Sequence, residues 1–170
     1  MSRLSLVALL LLAFLIPATV FAQDTDHERP RLGLSGIVQG ADLAVGLPVW
    51  VGPTLKLEPL VAVSYGSDIG TDLGVGLVAR SYFSPKGTAG YVGARLVGFF
   101  AFPDSGELED TGDFLIGAVL GGEHFLHKQF SLGVEAQLNL AISADQSARF
   151  GNPGGSVVNT GTAVYATFYF

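Results

Sequence analysis

The chain has 170 residues, no cysteine and a formal net charge of −6. Those figures exclude a disulfide framework, thiolate chemistry and the basic footprint that nucleic-acid binding requires. Only 14% of residues are charged while 23 are glycine, so the sequence is short of the charge with which a soluble domain covers itself.

The first element in chain order is a targeting segment. Arg3 supplies a basic start, and "VALLLLAFLI" from Val7 to Ile16 is an unbroken apolar run. That run is shorter than the roughly 20 residues a spanning helix needs. It leads through Pro17 to "ATVFA", where Val20 and Ala22 suit cleavage before Gln23. The expectation is a signal peptide over 1–22, a short polar periplasmic leader over 23–30 ("QDTDHERP") and one domain over 31–170.

Strand-like segments then recur at regular spacing. They are predicted at about 31–38, 42–51, 55–65, 72–83, 91–102, 114–125, 130–141 and 162–170. In the second, Leu43, Val45, Leu47, Val49 and Val51 share a face. In the third, Leu55, Leu57, Pro59, Val61, Val63 and Tyr65 alternate against Lys56, Glu58, Leu60, Ala62 and Ser64. The seventh, "FSLGVEAQLNLA", is the clearest. Phe130, Leu132, Val134, Ala136, Leu138 and Leu140 oppose Ser131, Gly133, Glu135, Gln137 and Asn139, a period of two rather than a helical three or four. In the last, Val164, Ala166, Phe168 and Phe170 oppose Tyr165, Thr167 and Tyr169. Strands of about ten residues match the length that crosses a bilayer at a tilt. Pro48 and Pro59 interrupt the pattern around the second turn and are expected near a rim, at bulges, because proline removes a ladder bond.

The connections alternate in length. Those after the second, fourth and sixth segments are short, "GPT", "SPKGTAG" and "HFLHKQ". Those after the third, fifth and seventh include "GSDIGTD", "PDSGELEDTGD" and "SADQSARFGNPGGSVVNT". The "QGAD" connection after the first is a short exception. Short turns on one side and long loops on the other characterise outer-membrane barrels. With few charges and no membrane helix beyond the leader, the predicted fold is all-β: an eight-stranded antiparallel up-and-down transmembrane β-barrel.

The polar face decides which side faces inward. It is built of glycine, serine, alanine and scattered charges, which would fill the narrow interior of an eight-stranded barrel. Gly74, Gly76, Gly93, Gly117, Gly121 and Gly133 leave room for large neighbours there. By parity Lys56, Glu58, Arg80, Arg95, Glu123 and Glu135 point into the lumen, near the short-turn end. Isolated buried charges are costly. The expectation is therefore a network of Arg80 and Arg95 with Glu123 and Glu135, joined by Lys56 or Glu58, that closes the lumen; a proton or ion path is the functional alternative. Tyr65, Tyr82, Phe83, Phe99, Phe100, Phe102, Phe114, Phe125, Phe130, Phe168 and Phe170 lie near predicted strand ends, where aromatics form interfacial girdles.

No catalytic constellation emerges. His27 is in the leader, and His124 and His127 flank a short turn. Their spacing of three would suit a metal only on a helix. No nucleophile, base and orienting group converge by spacing. The loop "PDSGELEDTGD" carries Asp104, Glu107, Glu109, Asp110 and Asp113 without a base, but lacks the ordered ligand spacing of a calcium loop. No metal site, cofactor or enzymatic activity is predicted.

Two stretches carry a resemblance. "GAVLGGEHFLHKQFSLGVEAQLNLA" resembles the penultimate hairpin of the small outer-membrane β-barrel superfamily, which includes opacity-type proteins and the OmpA transmembrane domain. "TAVYATFYF" resembles the carboxyl-terminal signature read by the barrel-assembly machinery, carried here by Val164, Ala166, Phe168 and Phe170. The resemblance implies an eight-stranded barrel with periplasmic termini in the outer membrane of a Gram-negative bacterium. It implies lipid, lipopolysaccharide, the assembly machinery and periplasmic chaperones as partners. It implies no single activity, since members serve as structural proteins, adhesins or narrow channels.

Three functional readings follow. The first is a non-enzymatic, monomeric outer-membrane barrel with a closed or very narrow lumen, serving envelope integrity or surface interaction. The second is a narrow porin-like channel for small solutes or hydrophobes. The third is a soluble periplasmic lipocalin-like barrel.

Overall fold

The period-two segments form nine strands in the computed structural model of the chain, which describes residues 30–66, 70–104 and 109–170. The predicted signal peptide and most of the leader lie outside the described residues. The strands are β1 (Gly33–Gln39), β2 (Asp42–Gly46), β3 (Val49–Trp50), β4 (Leu55–Gly66), β5 (Gly70–Tyr82), β6 (Thr88–Phe102), β7 (Thr111–His127), β8 (Phe130–Ile142) and β9 (Ser156–Tyr169). Every pairing among them is antiparallel, and each long strand from β4 onward pairs with its neighbours in sequence. The sheet closes where β9 pairs with β1, β1 with β2, and β2 and β3 with β4. Strands β2 and β3 share one staggered position, so the result is an eight-position up-and-down barrel with no free edge.

The interruption between β2 and β3 corrects the single strand expected over 42–51. Gly46 pairs with Leu60 and Val49 with Leu57, so no residue is inserted and no bulge exists there. Leu47 lies opposite Pro59 and donates its N–H to the Pro59 carbonyl at 2.9 Å. The reciprocal bond cannot form because Pro59 has no N–H. Pro48 likewise donates nothing, although its carbonyl accepts from Gly33 at 2.9 Å. The ladder lapses for two residues while the chain direction continues.

Other strands run beyond their expected bounds. β7 and β8 extend until only Lys128 and Gln129 remain as the turn, and β9 begins at Ser156 rather than near 162. The β-branched stretch "SVVNT" pairs Ser156 to Thr160 with Ile142 to Leu138, which shortens the last long loop to residues 143–155. A thirteen-residue strand such as β5, at about 3.3 Å per residue and a tilt near 40°, spans roughly 33 Å of barrel axis. That exceeds the roughly 25 Å apolar band of a membrane barrel.

Side chains separate by parity. On β8 every second residue is buried, from Ser131 through Gly133, Glu135, Gln137 and Asn139 to Ala141. The intervening Leu132, Val134, Leu138, Leu140 and Ile142 are exposed. The same division gives exposed Leu34 and Val38 on β1, Leu96 on β6, Ile116 and Leu120 on β7, and Val158, Val164 and Phe168 on β9. The outer surface is therefore a nearly continuous apolar belt, far larger than the patches a water-soluble monomer tolerates.

Candidate functional site

The interior at the short-turn end is built around Glu123. Side chains from four other strands aim at this one carboxylate. Its Oε2 accepts from Lys56 Nζ at 2.5 Å, from the Tyr82 hydroxyl, and from Tyr165 at 3.2 Å. Its Oε1 accepts from Ser131 Oγ at 2.5 Å and from Tyr169 at 2.9 Å. A carboxylate offers about four lone-pair sites, so the group is saturated. Neither Lys56 nor Glu123 has any solvent exposure. The ammonium of Lys56 also lies 5.2 to 5.9 Å from the ring centres of Tyr82, Tyr165, Trp50 and Tyr169, so the cation is wrapped by aromatic faces.

A second cluster sits beside it. Arg80 donates from Nη1 to Glu58 and from Nε to Glu135 at 2.9 Å. Its guanidinium carbon lies 4.8 Å from the Tyr165 ring centre and 5.4 Å from that of Tyr91. Tyr91 donates to Glu135 at 3.1 Å, and its hydroxyl lies 3.2 Å from that of Tyr165. These hydroxyls join the two clusters. Two glycines make room for the rings. A Cβ on Gly133 would stand 2.1 Å from the Tyr165 ring, and one on Gly121 would stand 2.4 Å from the Tyr91 hydroxyl.

The structure brings five of the six predicted lumen charges into ion pairs: Lys56 with Glu123, and Arg80 with Glu58 and Glu135. Arg95 departs from the expectation. It lies midway along β6, opposite Gly117 and Val78, above the level of the others. Its Nη1 donates to Gln39 Oε1 at 2.9 Å, and its Nε has no partner. Gln137 bridges the gap, donating to Glu135 at 2.9 Å while lying 3.4 Å from the same Gln39 oxygen. Arg95 is thus tied to the network through two amides rather than a carboxylate.

Three aromatic side chains on β5, β6 and β7 point inward against expectation. Tyr82, Phe99 and Phe125 were expected in outer girdles. Tyr82 instead donates to Glu123, Phe99 lines the lumen near Arg149, and Phe125 packs beside Trp50 and Tyr82. The missed signal is parity: Tyr82 shares a face with Arg80, Phe99 with Arg95 and Phe125 with Glu123. Of the other girdle candidates, Tyr65, Phe83, Phe114, Phe130, Phe168 and Phe170 are exposed on the outer surface. Val164 is exposed and Ala166 half-buried on that same outer face.

Toward the long-loop end the lumen is looser. A cavity of about 280 Å³ opens there, with Arg95, Gln39 and Phe99 in its wall. The loop over 143–155 folds across this end. Asp113 accepts from the Ala144 N–H at 2.9 Å and from Ser147 Oγ at 2.6 Å. Arg149 pairs with Asp72, lies 3.4 Å from Asp113, and stacks 4.8 Å from the centre of the Phe99 ring. Among the described residues no group of three or more His, Asp or Glu side chains is placed to hold a metal ion. At the opposite, short-turn end His124 hydrogen-bonds to Thr88 at 2.7 Å on the exposed outward face.

A closed eight-position barrel with ion pairs inside and leucine, valine and phenylalanine outside is inverted relative to a water-soluble barrel. Fold and site together define the class of small inverted β-barrels. Two solved structures share this fold. One is the crystal structure of Neisserial surface protein A (NspA), with a TM-score of 0.54 and 14% identity over 82% of this chain and 93% of that one. The other is the N-terminal β-barrel domain of Pseudomonas aeruginosa OprF, with the same TM-score and identity over 82% and 96%. No family model and no curated protein matches the chain.

Proposed function

We propose that the protein is a non-enzymatic outer-membrane β-barrel whose lumen is closed at the short-turn end, serving envelope integrity or surface interaction. One observation carries the reading: charge is inside and the apolar belt is outside. A barrel of this kind in water would expose its leucines, valines and phenylalanines as one large apolar surface. In a bilayer the belt is solvated by lipid, and closure of the sheet satisfies the strand backbone outside the lapse at Leu47 and Pro48. The likeness to the NspA and OprF barrels supports the fold on which this reading rests.

Closure of the lumen is supported by the saturated Glu123 centre and the rings packed around Lys56, which leave no exposure at either charge. The reading also includes the outer face of β9 as the recognition surface for barrel assembly, and membrane lipid as the principal partner. Heat-modifiable gel mobility on purified outer membranes tests fold and location together. The expected result is a band in that fraction whose mobility shifts on boiling. A protein recovered in the soluble periplasmic fraction without detergent would favour the lipocalin-like reading.

A further inference from the structure

We propose that the cavity at the long-loop end is a binding site for a small organic monoanion, a carboxylate on a compact apolar body, held by Arg95.

Three observations meet there. The first is a cation without a direct ion pair. Arg95 is only 6% exposed, and among the described residues it has no carboxylate within ion-pair distance, whereas Lys56, Arg80 and Arg149 each have one. Its Nη1 donates to a neutral amide, and its Nε is buried without a partner. A buried guanidinium in that state is costly. A carboxylate would meet it with the paired, charge-assisted geometry that guanidinium forms best.

The second is shape and lining. The cavity holds about 280 Å³, roughly nine waters at about 30 Å³ each, and so a ligand of about that many non-hydrogen atoms. Ile37, Leu60, Ala62, Val97 and Phe99 line it beside Arg95. An apolar wall with a few convergent polar groups is the usual composition of a small-molecule site, and Gln39, Ser64 and Arg149 join Arg95 in that role here. The third is the distribution of opposing charge. Asp72 also lines the cavity, but Arg149 neutralises it. Asp42 lines it and is exposed, so it weakens anion entry without occupying Arg95.

The site lies inside the barrel, so this inference does not require the membrane location; loss of one leaves the other standing. The test uses the full chain purified in detergent micelles and benzoate as the probe, observed by ligand NMR saturation transfer. Benzyl alcohol and benzylamine serve as neutral and cationic controls. Wild-type protein is expected to bind benzoate at least tenfold more tightly than either control. Arg95→Gln should lose that preference, and Asp42→Asn should strengthen benzoate binding. Gly74→Val provides a variant that leaves Arg95 intact, since a Cβ at Gly74 meets Ala62 and Phe99 only at 3.5 Å. It narrows the cavity and should weaken binding severalfold. Folding of each variant is checked by heat-modifiable mobility. No binding to wild type, equal binding of benzoate and benzyl alcohol, or unchanged binding in folded Arg95→Gln or Gly74→Val would overturn the proposal.

Discussion

The two halves of the lumen solve the same problem differently. At the short-turn end every carboxylate has a cation beside it, and aromatic rings fill the space between. In the middle of the lumen, below the Arg149–Asp72 pair of the long loops, the polar groups are mainly amides. Gln39, Gln137, Asn139 and Asn159 bond to one another or to a single charge, and Arg95 has no carboxylate. Lys56, Arg80 and Arg95 balance Glu58, Glu123 and Glu135 in formal charge, yet only two of the three cations are ion-paired. The contrast teaches that charge neutrality of a lumen is not the same as local satisfaction. One half pairs each of its charges directly, and the other supplies the balancing cation as an unmet donor next to open volume.

That contrast can be broken first at its strongest point. Glu123→Ala leaves Lys56 buried without its partner and strands four hydroxyl donors. Removing one partner of a buried pair typically costs about 3–5 kcal/mol, and a loss of that order is expected in urea unfolding followed through Trp50 fluorescence. A loss under about 1 kcal/mol, together with altered ion conductance, would replace the closing role with an ion path.

The next largest effect tests the packing that supports the network. Gly133→Ala places a methyl 2.1 Å from the Tyr165 ring, within a crowded lumen where overpacking costs about 1–3 kcal/mol. The same unfolding measurement should register it. Arg95→Gln sharpens the comparison from the other side. It strands no ion-pair partner, so the expected change is below about 1 kcal/mol and of either sign. A loss matching that of Glu123→Ala would erase the distinction between the halves. Arg149→Ala should have the smallest effect. Its pair with Asp72 is partly open to water, where screening leaves about 0–1 kcal/mol, and the buried Asp113 keeps its bonds from Ala144 and Ser147. The clearer readout is limited proteolysis, with faster cleavage expected within residues 143–155.

Much of this was legible in the residues themselves. Period-two alternation in "FSLGVEAQLNLA" located β8 and its two faces, and carrying the same parity along the chain placed Lys56, Glu58, Arg80, Glu123 and Glu135 on one side of the wall. What failed was positional reasoning that ignored parity. Tyr82 and Phe125 stand near strand ends, so they suggested girdles, yet each shares its face with a buried charge. What could not be read was pairing across the lumen. Arg95 and Gln39 are 56 residues apart, and their meeting depends on strand tilt and stagger around a closed barrel. Arg149 is less accessible still, because a loop residue obeys no alternation. The gap after Gly46 was half-visible: Pro48 and Pro59 announced a defect, but only the register shows that it is a pair of missing donors rather than a bulge.

The account rests on a barrel whose lumen is closed by the Glu123 centre. Its most direct test is the conductance of the purified wild-type protein in planar lipid bilayers at neutral pH. The account predicts stable insertion with no stepwise ion current. Reproducible conductance steps from the folded wild-type protein would contradict it.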